Sequence, residues 1–263
     1  MPFVRVLSVV VTALIVAPSI ARADATTMGT LIYSFTYSSK QSVTARDSSN
    51  NAATYGSMIP GPQDLRTGAG TGITGGNNGI SHYDGALDDK GTMTVQLLKQ
   101  QPDGALVVTI SEEGQNVRRA PPAECVVYGN THVLCDPNKT VYTEEYTLLR
   151  FLGRNFVDPS ALDANKHWLI TQDSGGLNVQ ASYTISSNDN GKMAISETRS
   201  VRPSGGGSLT TDIQTKIGYD FAQSLPTSVD EYVTQRHDNG VAGNTTTLYQ
   251  TTLNLVSDTM AKT

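Results

Sequence analysis

Only two of the 263 residues are cysteine, one is tryptophan, and aromatic residues make up 6% of the chain. Two cysteines ten positions apart, with one histidine between them, do not make a four-ligand zinc site, and there is no CxxC redox pair. Threonine, serine, glycine and asparagine take the place of aromatics. Such a chain buries one face of a sheet more readily than a thick helical core. Nucleophile and phosphate motifs are missing too: no GxSxG, HExxH, SxxK or phosphate-binding glycine loop occurs. "TGAGTGITGGNNG" (67–79) is dense in glycine but contains no lysine and follows no apolar strand. Catalytic residues, cofactors and metal ligands are therefore not expected. Basic residues number 19 against 24 acidic ones, which argues against nucleic acid or an anionic membrane as partner.

Long apolar runs are also scarce. "VLSVVVTALIVA" (6–17) follows Arg5 and is too short to span a bilayer comfortably. "PSIARADA" then offers small residues at Ala21 and Ala23, or at Ala23 and Ala25, as a signal peptidase reads them. The sequence predicts a secretory signal, residues 1–23, with an uncleaved anchor as the alternative. Cleavage would remove Arg5, Arg22 and no acid, moving the formal charge from −5 to −7. No cysteine follows the apolar run, so a lipidated N-terminus is not expected. Residues 24–263 should be one exported β domain, periplasmic or extracellular, with no transmembrane segment left after cleavage.

Both cysteines lie in "ECVVYGNTHVLC" (124–135). Its flanks are strand-like and its middle is a turn signal. A three-residue loop of Gly129, Asn130 and Thr131 pairs Tyr128 with His132 and sets Cys125 opposite Cys135, within disulfide reach. A two-residue turn would slip the register and put the thiols on opposite faces. In an exported protein this pair reads as a structural disulfide.

Alternation supplies the rest. "GTLIYSFTYSS" places Leu31, Tyr33, Phe35 and Tyr37 on one face. Residues 46–81 read as a long flexible glycine-rich loop. "GTMTVQLL" and "ALVVTISEE" form strands joined at Pro102-Asp103-Gly104. "TVYTEEYTLLRFLG" (140–153) is the best helix candidate, with early Glu144 and Glu145 and with Tyr142, Tyr146, Leu149 and Leu152 on one side. "HWLITQ", "LNVQASYTIS", "KMAISETRSV", "DIQTKIGYDF", "VDEYVTQRH" and "TTTLYQTTLNLV" continue as strands separated by turns, one of them at Pro226-Thr227-Ser228. Nine to eleven strands at hairpin spacing, with no βαβ pattern, predict a mainly β fold. We expect a large curved antiparallel sheet, a half-barrel or open barrel, with one helix on its concave face; a closed barrel or two packed sheets is the alternative.

Individual polar residues read as structural. His82-Tyr83-Asp84 with Asp88 and Asp89 looks like solvated loop chemistry, not an EF-hand. His132 should be a cross-strand partner of Tyr128, and Trp168 a core anchor beside a solvent-facing His167. Glu112-Glu113 and Asp230-Glu231 are adjacent in strands and so point to opposite faces; neither doublet can be a facing catalytic pair.

The export signal, the antiparallel run starting at "GTLIYSFTYSS" and the helix inserted midway together resemble the carrier half-barrels of bacterial envelopes, the lipoprotein-localisation factors and related lipid carriers. The similarity lies in element order over most of the mature chain, and the missing lipobox cysteine departs from the lipoprotein members. The resemblance implies a non-catalytic protein whose apolar concavity shields a lipid-like small molecule. Tyr33, Phe35, Tyr146, Leu149, Trp168, Ile217, Tyr219 and Leu253 would line it. A structural or adhesive surface protein, working through its hydroxyl-rich faces, is the alternative, with an enzyme third. Nothing in the sequence names a protein partner.

Overall fold

The computed structural model describes residues 28–46, 74–75, 80–116, 119–128, 131–153, 156–157, 166–174, 176–206, 208–238 and 243–259. The segment 1–23 expected to be a signal and most of the segment 46–81 expected to be a loop lie outside them. The strands are β1 (Gly29–Arg46), β2 (Thr74–Gly75), β3 (Ile80–Gln100), β4 (Leu106–Gly114), β5 (Arg119–Val127), β6 (Val133–Cys135), β7 (His167–Ser174), β8 (Leu177–Asp189), β9 (Lys192–Pro203), β10 (Leu209–Asp220), β11 (Leu225–Asp238) and β12 (Asn244–Asp258). Among the described residues one helix, α1 (Thr143–Leu149), sits between β6 and β7.

Every pairing among the described residues is antiparallel, and the strands form one sheet in the order β6-β5-β4-β3-β1-β12-β11-β10-β9-β8-β7, with the short β2 beside β3. Two meanders are joined at the centre by β1 and β12, the first and last strands. Their register runs from Leu31↔Asp258 to Thr44↔Asn244. The edges β6 and β7 do not meet, so the sheet stays open, and the chain between them carries α1 across the concave side. Bulges at Ile32/Tyr33, Ile110/Glu112, Ile185/Ser187 and Gly218/Tyr219 bend the strands.

Strict alternation sorts the two faces. Tyr33 and Phe35 in β1, Met93 and Val95 in β3, Ile195 in β9, Ile217 and Tyr219 in β10, Val229 in β11 and Leu253 in β12 are buried on the concave face. Onto them pack Leu148, Leu149, Phe151, Leu152, Phe156 and Val157, from α1 and the residues after it. The convex face carries Ser34, Thr36, Thr92, Thr252 and Asn254 in adjoining register, partly or fully exposed. At Gly91 the sheet leaves no room for a side chain: a Cβ would stand 2.0 Å from the Glu113 carbonyl oxygen, where β3 and β4 diverge.

Three local expectations change. The helix covers only Thr143–Leu149, starts at Tyr142, whose N–H donates to the Glu145 carboxylate at 2.7 Å, and buries Glu144, Glu145, Thr147, Leu148 and Leu149. Tyr146 instead points outward, 39% exposed. Spacing alone places Tyr146 with Leu149 and Leu152; the core takes those two leucines together with Leu148 and Phe151 and leaves Tyr146, with its hydroxyl, at the surface. Pro226 opens β11 instead of breaking the chain; its carbonyl accepts the Tyr33 hydroxyl at 2.7 Å, and the turn falls at 221–224. His82, Tyr83 and Asp84, read as loop, pair in β3 with Thr44, Val43 and Ser42.

The cysteine hairpin follows its predicted register. Tyr128 N–H donates to His132 O at 2.8 Å, and Cys125 pairs with Cys135 at a Cα separation of 4.0 Å with the disulfide formed. The rings of Tyr128 and His132 lie 5.4 Å apart. Thr131 closes the three-residue loop at φ +62°, the left-handed geometry that such a loop demands of its last residue. Replacing both cysteines by serine should lower stability by about 2–3 kcal/mol, because the closed loop is short. Urea unfolding of the two forms would measure it. An unchanged midpoint would mean that the cross-link adds nothing to a hairpin already held by its ladder.

Candidate functional site

The concave face is not uniformly apolar. One row across it, read through the register, is Trp168, Tyr183, Glu197, Thr215, Glu231, Thr251, Tyr37 and Asp89, from β7, β8, β9, β10, β11, β12, β1 and β3. All eight are buried. On one side runs the apolar row Ile185, Ile195, Ile217, Val229, Leu253 and Phe35; on the other lie Ala181, Arg199, Ile213, Val233, Tyr249 and Ser39. The polar row therefore divides a filled half of the cup from a half-open one, where Ile213, Val201 and Tyr249 are only partly buried.

Arg150, just after α1, drops onto this row. Its guanidinium donates to Glu197 Oε1 at 3.2 Å and pairs with Glu231 Oε2. Tyr183 donates its hydroxyl to Glu197 Oε1 at 2.7 Å, Thr215 to Glu197 Oε2 at 2.7 Å, and Thr147 of α1 to Glu231 Oε1 at 2.6 Å. Each carboxylate oxygen thus has a donor, which buried charge requires. Burial alone would push the Arg150 pKa down, but Glu197 and Glu231 outweigh it and hold the group above its ordinary range. Tyr219 adds a fourth tether, its hydroxyl donating to Gly153 O at 2.8 Å. The chemistry is that of a clamp, a charge-compensated cluster fastening one segment to the sheet.

The apolar half is packed around Phe156, whose ring stands 5.1 Å from Phe151, 5.9 Å from Trp168, 5.6 Å from Tyr183 and 5.3 Å from Tyr219. Trp168 stacks on Tyr183 at 4.9 Å. Its indole Nε1 is buried with no hydrogen-bond partner among the described residues.

The structure brings seven of the eight sequence-nominated residues into this one core. Tyr33, Phe35, Leu149, Trp168, Ile217, Tyr219 and Leu253 all belong to it, Leu149 from α1 itself and the other six from the sheet beneath it. Tyr146 is separate: it lines an open cleft of about 360 Å³ with Val133, Leu134, Pro137 and Val141. A second open cleft, about 430 Å³, lies between Thr92, Ser111, Glu113 and Arg119. Arg150, Glu197, Arg199 and Phe156 were not nominated. Their signal was present in part: Met193, Ile195, Glu197 and Arg199 alternate, so ionic residues occupy core-facing positions of a strand otherwise apolar on that side. Among the described residues, no group of His, Cys, Asp and Glu could hold a metal ion.

No protein-family model matches the chain, and no curated protein matches it. Among solved structures, a chain from "Lipid-protein interactions in lipovitellin" is similar at 10% identity with a TM-score of 0.44. The match covers 88% of this chain and 25% of that one, so the chain spans about a quarter of its length. A likeness of that size does not establish a shared fold. The resemblance to bacterial carrier half-barrels rests on element order alone.

Two predictions come from the cluster. Arg150→Ala should cost about 3–5 kcal/mol by leaving buried Glu231 without its cation and Glu197 with only Arg199, 3.8 Å away. Combining Arg150→Met with Glu197→Gln and Glu231→Gln should recover part of that loss in urea unfolding. A loss below about 1 kcal/mol for the single variant would remove the clamp. The second concerns alkali. Burial, with help from Asp258, raises the Tyr33 pKa; burial and Glu197 raise that of Tyr183; burial raises that of Tyr219. All three stay neutral in the fold while their unfolded counterparts ionise near about pH 10. Their stabilising contribution is complete below that pH and is lost as pH rises above it. Phenolate absorbance from these residues should appear together with unfolding, not before it.

Proposed function

We propose that this is an exported, non-catalytic protein that binds or carries a lipid-like ligand in the cup of its sheet. In the state described, the segment around α1 fills that cup. The observation that supports the reading is how the concave face is covered: by one seven-residue helix and the few residues after it, clamped through Arg150 and Thr147, not by a second sheet. Such an insert can be exchanged. Burying its six apolar side chains is worth roughly 9–18 kcal/mol, and an acyl chain of about sixteen methylenes returns about 13 kcal/mol. A long chain can trade places with the plug; a small molecule cannot. Tyr33, Phe35, Trp168, Ile217, Tyr219 and Leu253 would then line the ligand, Leu149 would leave with the plug, and Tyr146, outside the cup, would mark the surface where the plug begins.

Export is part of the proposal. The disulfide is consistent with an oxidising compartment, and among the described residues no helix is long and apolar enough to cross a membrane.

The filled interior favours a second reading, a surface protein acting through the hydroxyl-rich convex face. One experiment separates the two. The single tryptophan, Trp168, touches both Phe156 of the plug and Tyr183 of the sheet. Displacing the plug with a long-chain fatty acid should shift its emission, and organic extracts of the purified protein should contain lipid by mass spectrometry. No shift at saturating fatty acid and no extractable lipid, together with self-association in sedimentation, would leave the surface protein as the reading.

A further inference from the structure

One cation beside the polar row is not used up by the clamp. Arg199 lies on β9 two positions beyond Glu197, on the same face, opposite Ala181 in β8 and Ile213 in β10. Its side chain is 12% exposed. Among the described residues its guanidinium makes one hydrogen bond, to Thr131 Oγ1 at 3.3 Å, and comes within 3.8 Å of Glu197 Oε1. Glu197 is engaged elsewhere, by Arg150, Tyr183 and Thr215. A guanidinium carries five N–H donors, so most of those on Arg199 have no protein acceptor in a place nearly closed to water. Burial, and after it the nearby Arg150 charge, lower the Arg199 pKa despite Glu197.

The surroundings give the second half of the argument. Arg199 shares its row with Ala181, Ile213 and Val233, and the row beyond it runs Val179, Val201, Thr211 and Gln235; Val179 and Val233 are buried, Val201 and Ile213 partly exposed. A cation thus stands beside a short apolar patch, Val179, Val201, Ile213 and Val233, that reaches solvent. Thr131, which meets it from above, is the tip of the disulfide-held hairpin, brought over the cup from the opposite half of the sheet. This is the arrangement that recognises an amphiphile by its head and lays the chain along a dry surface.

We propose that Arg199 anchors the anionic head group of the bound ligand, a carboxylate on a long apolar chain, with the Thr131 hydroxyl as its companion contact. The proposal rests on the carrier reading, places the head group and the start of the chain on the half-open side of the polar row, and narrows the ligand to acids.

The test uses the full chain with oleic acid, oleyl alcohol and acetate, followed by Trp168 emission and calorimetry. Oleate should bind roughly tenfold or more tightly than the alcohol, the usual gain from a charge-assisted pair, and acetate should bind far more weakly than either. Arg199→Ala should bring the oleate affinity down to that of the alcohol, and Arg199→Lys should keep part of the preference as a point charge. If the alanine variant fails to fold by circular dichroism, the acid-to-alcohol ratio in the unaltered chain and the lysine variant decide. Equal binding of acid and alcohol would overturn the anchor while leaving the carrier reading standing. Acetate binding as tightly as oleate would make Arg199 a free-anion site and overturn the amphiphile. Binding of none of the three would overturn both proposals.

Discussion

An open antiparallel sheet must hide one of its faces, and in this protein almost everything follows from how that is done. A sheet of eleven ordered strands would ordinarily close on itself or pack against a second sheet. Here β6 and β7 stay apart, and the segment around α1 is laid across the cup. Burial of Leu148, Leu149, Phe151, Leu152, Phe156 and Val157 supplies the attraction. That force is without direction. What gives the segment one position is the polar set, Arg150 and Thr147 reaching down to Glu197 and Glu231, and Tyr219 reaching up to Gly153.

The energetics of that set differ from those of the core around it. A buried ion pair contributes little net stability, because desolvating both charges offsets their attraction, yet removing one partner is expensive. Placed between a sheet and a short insert, such a cluster acts as a register mark. It also divides the concave face into two halves of different character. One is dry and aromatic around Phe156; the other is partly open and passes Arg199. The disulfide has a related part at long range. It staples a hairpin whose tip, Thr131, reaches β9 from the other half of the sheet.

The fold was legible from period-two alternation because a sheet with one wet face writes its burial directly into the sequence. "GTLIYSFTYSS" and "DIQTKIGYDF" need no further information to be read as strands. The cysteine hairpin was readable down to its loop length, since only one register brings two thiols to the same face. The helix was less so: its apolar stripe has two plausible registers, and the choice between Tyr146 and Leu148 depends on the shape of the cup it meets. Pro226 was misread as a break because a proline at the start of a strand differs from one in a turn only by what lies alongside.

Sequence alone determined what a residue can learn from its neighbours along the chain: which segments are strands, which side of each is apolar, and how Cys125 meets Cys135. Those are local properties, carried by alternation and turn chemistry. Tertiary structure decided the order of the strands, the pairing of β1 with β12, and the convergence of Arg150, Glu197, Thr215 and Glu231 from four separate segments onto one spot. Each of these is an isolated polar residue in its own strand or turn. Only the hydrogen-bonded ladder between strands sets them side by side, and that ladder is closed by contacts between residues as much as 229 positions apart.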